Sequence, residues 1–384
     1  MMIKLGIERI DEHLHLFKGR KVGLITNATG RDSKLRSSAS RLMAHVNLTT
    51  LFSPEHGLDG AVPDGMAVDH GKDAASGLPV YSLYGKNRKP TKAMLEKVDV
   101  LCFDIQDVGA RFYTYISTMN EAMQAAKDHD IPFVVFDRPN PVDGLSVEGG
   151  LLKETFSSFV GCRPIPVRHG LTTGELALLF NDHFGVGCDL HVVGMQGWQR
   201  QMSFDETGLP WVLPSPNIPT TETAYLYLAT CFFEGTNVSE GRGTAKPFAL
   251  IGAPWLDGRK LIDGLAEHAL PGVLFRPVTF IPTTSKYQGE WCQGVELHLV
   301  DHRIFRPVLT GFTLIDVIRR TFESFAFLPP WQEGGQPMID KLVGHDDLRT
   351  ARLDLHRLVN RMHHEDKDFT LLKERYHLYE NQTT

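Results

Sequence analysis

The chain has no C-x-x-C pair, no lysine- or arginine-rich run and no apolar stretch approaching membrane-spanning length. It also lacks a G-x-G-x-x-G after its first strand-like segment, where Thr26-Asn27-Ala28-Thr29-Gly30 stands instead, and it has no P-loop lysine motif. Each absence excludes a class. Five scattered cysteines (Cys102, Cys162, Cys188, Cys231, Cys292) are an odd number without metal spacing, so neither a disulfide framework nor a zinc knuckle is expected. The missing glycine and lysine motifs argue against a dinucleotide or nucleotide site. A formal net charge of -6 offers no attraction to phosphate backbones or anionic lipid, so nucleic acid and membranes are not expected partners. The first residues lack the basic region and apolar run of a secretory signal, and the expected location is cytoplasmic. No H-E-x-x-H occurs; His56, His70 and His169 with nearby carboxylates lack ligand spacing, and neither a metal nor another cofactor is expected.

What is present is a globular composition, 42% hydrophobic and 22% charged over 384 residues, long enough for two domains. Apolar runs at Lys21 to Thr26, Val46 to Phe52, Val100 to Asp104 and Ile131 to Asp137 read as strands, with His191 to Val193 as a short fifth. Helical patterns fall between and after them at Ser38 to Ala44, Thr91 to Lys97, Tyr115 to Asp128 and Thr173 to Phe184. Near-continuous strands such as Phe133-Val134-Val135-Phe136 are buried on both faces, so the expected fold class is α/β with a Rossmann-like parallel sheet. Four prolines between Pro210 and Pro219 mark an extended connection, followed by a helix from Thr221 to Phe232. Beyond it a strand at Gly294 to Val300 and helices at Leu314 to Phe325 and Leu348 to Met362 suggest a smaller α+β domain. The expected division is 1–235 for the Rossmann-like catalytic domain and 236–384 for the domain closing its cleft.

Ligands of parallel α/β sheets bind beyond the carboxyl ends of the strands. Those ends carry Ser53-Pro54-Glu55-His56-Gly57, Asp104-Ile105-Gln106-Asp107-Val108-Gly109-Ala110-Arg111 and Asp137-Arg138-Pro139-Asn140-Pro141. Glu55, fixed between a proline and His56-Gly57, reads either as a proton donor or as a carboxylate that caps a helix or pairs with a cation. His56 reads as an orienting or hydroxyl-binding group, or as a satisfied loop histidine. Arg111-Phe112-Tyr113-Thr114-Tyr115 sets a guanidinium and aromatic faces near a helix start, suited to a sugar ring or to core packing. Asp107 reads as a loop or cap residue, and Asp104, Asp137 and Arg138 as strand-end pairs. Glu234 to Thr244 is a second polar stretch, whose Gly241-Arg242-Gly243 is either a tight turn or a ligand-facing loop.

Taken together these motifs, with Gly23-Leu24-Ile25-Thr26-Asn27, Pro214-Ser215-Pro216-Asn217-Ile218-Pro219, Ser239-Glu240-Gly241-Arg242-Gly243-Thr244 and Ser285-Lys286-Tyr287, resemble the exo-β-N-acetylmuramidase (NamZ-like) family of glycoside hydrolases over nearly the whole chain. The resemblance implies release of a terminal, non-reducing N-acetylmuramic acid from peptidoglycan fragments in cell-wall turnover and recycling, with Glu55 as leading catalytic carboxylate. Hydrolysis also needs a group that activates water or attacks the anomeric carbon. Glu240, Asp137 and Tyr113 are candidates, as is the substrate's own acetamido group. Arg242, then Arg111, would bind the lactyl carboxylate. Asn140 and His56 would bind ring hydroxyls, and Asn27, Tyr115, Asp137 and Glu234 complete the expected substrate contacts. A non-catalytic sugar-binding protein and a metal-dependent hydrolase are the alternatives.

Overall fold

The computed structural model describes residues 3–60, 62, 66, 71–352 and 354–380. Strands β1 (Lys21–Thr26), β2 (Asn47–Ser53), β3 (Gly71–Lys72), β4 (Pro79–Ser82), β5 (Val100–Asp104), β6 (Phe133–Phe136) and β7 (Leu190–Val193) form one sheet in the order β3-β4-β2-β1-β5-β6-β7. Its neighbours are parallel except for the β3–β4 edge pair. Alternation feeds two cores: Ile25, Leu101, Phe103, Phe133 and Val135 face one layer, while Leu24, Val100, Cys102, Val134 and Phe136 face the other. The chain moves outward from β1 through β2 to β4, then returns to β5 on the other side of β1. The strand order thus reverses at β1, the position where doubly wound sheets gather their ligands at the carboxyl ends of the strands.

Helices α1 (Ser38–Met43), α2 (Tyr115–Asp128) and α3 (Thr173–Asp182) cover the sheet, α1 capped by the Ser37 hydroxyl and α3 by a Thr172–Glu175 capping box. Helix α4 (Thr221–Thr230) leads to a second lobe with an antiparallel sheet β8 (Leu250–Ala253), β9 (Val273–Phe280) and β10 (Cys292–Leu299), ordered β8-β10-β9. Helices α5 (Gly258–Leu265) and α6 (Pro307–Thr321) pack on one another, and α7 (Met338–Val343), α8 (Asp347–Thr350) and α9 (Leu355–Lys373) follow. One apolar core runs without a break from the parallel sheet through α4 and α6 to Ile251 and Val295. No helix among the described residues is long and apolar enough to cross a membrane.

Several expectations about elements need correction. The segment 91–97 forms turns instead of a helix, because Pro90 precedes it and the stretch is too short to repay helix nucleation. The expected helix from Leu348 to Met362 is two helices, broken at Ala351, whose φ of 50° is left-handed. Edge strands β3 and β4 were not foreseen. The final helix does not stay with the small sheet. Asp366 accepts the amides of Gly149 and Gly150 at 3.2 and 2.8 Å, Lys373 Nζ donates to the carbonyls of Gly144 and Gly170 at 2.8 and 2.9 Å, and Tyr379 Oη donates to Asp137 at 2.6 Å. Residues after α8 thus complete the first lobe.

Candidate active site

Strand β2 ends at Ser53 and the chain turns through Pro54-Glu55-His56-Gly57. His56 and Gly57 take left-handed φ values of 72° and 78°, a conformation unfavourable for histidine and readily held by glycine. The turn is fixed by the His56 ring, whose Nδ1 donates to the Val62 carbonyl at 2.8 Å, and it leaves Glu55 8% exposed. Thr114 occupies the N-cap of α2 without capping it: its hydroxyl donates instead to Glu55 Oε2 at 2.7 Å. A helix start thus positions the carboxyl that the sequence singles out.

Around Glu55 stand buried polar groups whose bonding is incomplete. Ser53 Oγ and Asp107 Oδ1 make no hydrogen bond among the described residues, whereas the Tyr113 hydroxyl interacts with Ser215 and Tyr115 and the Asn27 side chain with Tyr115. Asn27, Ser53, Asp107 and Tyr113 come from the ends of β1 and β2, from the loop after β5, and from the segment leading into α2. The Asn27 amide oxygen accepts from Thr29 N and Oγ1 at 3.0 and 2.6 Å, and Gln106 N donates to Thr29 Oγ1 at 2.9 Å, tying the loops after β1 and β5 together. The Tyr113 and Tyr115 rings meet edge to face at 4.8 Å, and the Tyr115 hydroxyl donates to the Pro214 carbonyl. Tyr115 lies within electrostatic reach of both Glu55 and Asp107. Leaving a buried polar atom unpaired costs about 1–3 kcal/mol, so the unpaired Asp107 and Ser53 oxygens at neighbouring strand ends are a cost that a polar ligand would relieve.

A second polar group lies at the lobe junction. Arg242 donates to Glu234 Oε1 at 2.7 Å and stands 3.4 Å from Glu240 Oε1, while Lys286 donates to Glu240 Oε2 at 2.9 Å and to the Phe233 and Val238 carbonyls. Burial pushes the Glu234 carboxyl up, with Arg242 opposing and Glu240 adding. Both Glu240 oxygens face cations, an arrangement that holds Arg242 and Lys286 in position. Tyr227 of α4 joins the two clusters: its ring centroid is 5.7 Å from Tyr113 and 4.8 Å from Phe248, over which Arg242 stacks at 5.0 Å.

Three expected substrate contacts are committed elsewhere. Arg111 is fully buried and donates to the carbonyls of Gly150, Ile165 and Leu342 at 3.4, 3.0 and 2.7 Å; burial draws it down to about 9, still protonated at neutral pH, with Asp366 and Glu365 opposing. It is a strut between the first lobe and α7. Asp137 accepts from Thr172, Tyr379 and the Gly174 amide, and Asn140 spans the Leu171 carbonyl and the Val142 amide. The Asn140 side chain also sits where a Cβ on Gly109 would come within 2.5 Å, so this loop closes only with glycine at φ 81°. Asp104 is likewise engaged, by a bidentate Arg138. Among the described residues no three His, Cys, Asp or Glu side chains converge as metal ligands, and His70 lies outside those residues. Thr114, Lys286 and Asp107 also meet these clusters, Asp107 as the loop cap its position predicts through the Gly109 amide. The Ser285-Lys286-Tyr287 motif carried a signal for Lys286; nothing local distinguished Thr114.

A doubly wound sheet with a buried carboxyl, tyrosines and unpartnered polar atoms at its crevice defines a hydrolase-type α/β protein built for a polar substrate. The chain belongs to the NamZ exo-β-N-acetylmuramidase family: residues 22–222 match the family's N-terminal model and 225–379 its C-terminal model. It is 46% identical over 384 residues to the peptidoglycan β-N-acetylmuramidase NamZ of Bacillus subtilis, covering 98% of this chain and 91% of that one. Two solved DUF1343 family proteins of Bacteroides fragilis share the fold. One has a TM-score of 0.89 at 39% identity, covering 98% of this chain and 99% of its own; the other has 0.78 at 29%, covering 100% of each.

Proposed function

We propose that this protein is an exo-acting glycosidase that hydrolyses the bond to a terminal, non-reducing N-acetylmuramic acid of peptidoglycan fragments, with Glu55 as the proton donor. The observation that carries this reading is the position of Glu55: a buried carboxyl held by Thr114 at a strand end, among buried polar groups that include the unpaired Asp107 and Ser53 oxygens. Near-full-length kinship with a peptidoglycan β-N-acetylmuramidase supplies the substrate class. In this reading Glu55 protonates the departing glycosidic oxygen as the bond to the anomeric carbon breaks, and later takes the proton of the incoming water. Arg242, steadied by Glu234 and Glu240, pairs with the lactyl carboxylate that separates muramic acid from glucosamine. Asn27 and His56 hold ring hydroxyls, and the Tyr113–Tyr115 pair walls the sugar. The test is a chromatographic product assay on a muramyl-glucosamine disaccharide and its longer oligomers. Release of N-acetylmuramic acid from the non-reducing end is expected, and glucosamine-terminated products or no turnover would defeat the reading.

A further inference from the structure

The aspartates at and just beyond the strand ends differ in one respect. Asp104 is paired with Arg138 and Ser38, and Asp137 with Thr172, Tyr379 and Gly174. Asp107 is not matched in this way. Its Oδ2 accepts the Gly109 amide at 2.7 Å, which explains one oxygen as a turn cap; Oδ1 is buried with no partner among the described residues. The titratable groups facing it are His169, whose Nε2 is 3.9 Å from Oδ2 and itself unpartnered, and Tyr113 and Tyr115 from the start of α2.

The groups around it have a chemical shape. Asp107 Oδ1 is an unpaired acceptor, Ser53 Oγ is unpaired and can donate or accept, and the Tyr113 hydroxyl, shared with Ser215 and Tyr115, offers a donor. An acceptor beside donors complements a secondary amide, which presents one N–H and one carbonyl oxygen in fixed geometry. Resting on the reading of the chain as an N-acetylmuramidase, we propose that Asp107 is the second catalytic carboxyl, and that with Tyr113 it holds the 2-acetamido group of the terminal sugar as the reaction's nucleophile. Asp107 Oδ1 accepts the amide N–H while Tyr113 orients the amide oxygen. That oxygen bonds to the anomeric carbon as the glycosidic C–O bond breaks, Glu55 gives its proton to the departing oxygen, and the amide proton passes to Asp107. Water then adds to the anomeric carbon and gives a proton to Glu55, the ring bond to the amide oxygen opens, and Asp107 returns the proton to nitrogen. Burial pushes Asp107 up to about 7 against the opposing Gly109 and Val108 amides, which suits a group that takes and returns a proton near neutral pH.

The experiment uses the full chain with 4-nitrophenyl N-acetyl-β-muraminide, its N-trifluoroacetyl analogue, and the Asp107→Asn variant, which can keep the cap on Gly109. The parent should lose about tenfold or more in kcat on the trifluoroacetyl substrate, whose amide oxygen is a poorer nucleophile. Asp107→Asn should lower kcat on the acetyl substrate about 10²-fold or more with little change in KM, and should remove the acid limb near pH 7. Its melting temperature at pH 8 should match or exceed the parent's, which a residue kept for structure would not allow. Equal parental rates on the two substrates would overturn the proposal, and that comparison needs no variant. So would an Asp107→Asn enzyme with parental kcat and an unmoved pH profile. Parental release of N-acetylmuramic acid from unmodified muramyl-glucosamine tests the underlying function separately, and its absence would remove both.

Discussion

The crevice around Glu55 and the junction around Arg242 are neighbours built to different rules. At the junction every charged group we name faces an opposite charge: Glu234 and Glu240 against Arg242, and Glu240 against Lys286. In the crevice Asp107 lies 3.9 Å from a histidine that burial draws down to about 3, hence neutral at neutral pH, and the Asp107 Oδ1 and Ser53 Oγ atoms go unpaired. The contrast separates holding from reacting. A paired cluster presents a fixed field to a charged substrate group, whereas unsatisfied atoms gain partners only when substrate arrives, so their binding energy remains to be spent on the reaction.

Removing the proton donor should have the largest effect. Glu55→Gln keeps the contact with Thr114 yet should cost on the order of 10²–10⁴-fold in kcat for release of N-acetylmuramic acid, with an unchanged melting curve. Next, Arg111→Ala should leave three buried carbonyls unpaired and cost about 3 kcal/mol or more of stability by denaturant titration, while the folded fraction keeps its KM. That outcome would confirm that Arg111 belongs to neither cluster; a raised KM with parental stability would return it to the substrate.

Arg242→Met should raise KM on muramyl substrates by roughly 10–100-fold, the worth of one charge-assisted contact, and reduce discrimination against glucosamine-terminated analogues. If kcat falls instead, the junction takes part in the chemistry and the contrast fails. The smallest effect is one of pH. A carboxyl whose folded pKa lies near 7, above its unfolded value, stabilises the fold fully below about pH 4 and loses that contribution as pH rises through 7. Asp107→Asn should therefore gain on its parent by roughly 2 °C between pH 5 and pH 8 in thermal melts.

Central strands β1, β5 and β6 were legible because continuous apolar runs admit few alternatives. Strand β9 was not, since Pro277 interrupts its pattern, a break tolerated because β9 is an edge. Glu55 could be picked out from its rigid setting between Pro54 and Gly57. For Arg111 the sequence leaves two readings open for a physical reason: an arginine beside aromatics at a helix start looks alike whether its guanidinium meets a ligand or, as the structure places it, main-chain carbonyls. The unpaired Asp107 oxygen has no local signature, because the lack of a partner is a property of the folded chain and leaves no mark on local sequence.

The return of α9 to the first lobe bears on the order of biosynthesis. The carbonyls of Gly144 and Gly170 and the Asp137 carboxyl acquire Lys373 and Tyr379 as partners only after more than two hundred further residues have been translated. A nascent chain emerging from the ribosome therefore carries the whole parallel sheet long before the segment that completes it, so the lobe waits in an unfinished state. Deleting the residues after α8 should reproduce that state permanently, as a protein trapped midway through its own synthesis.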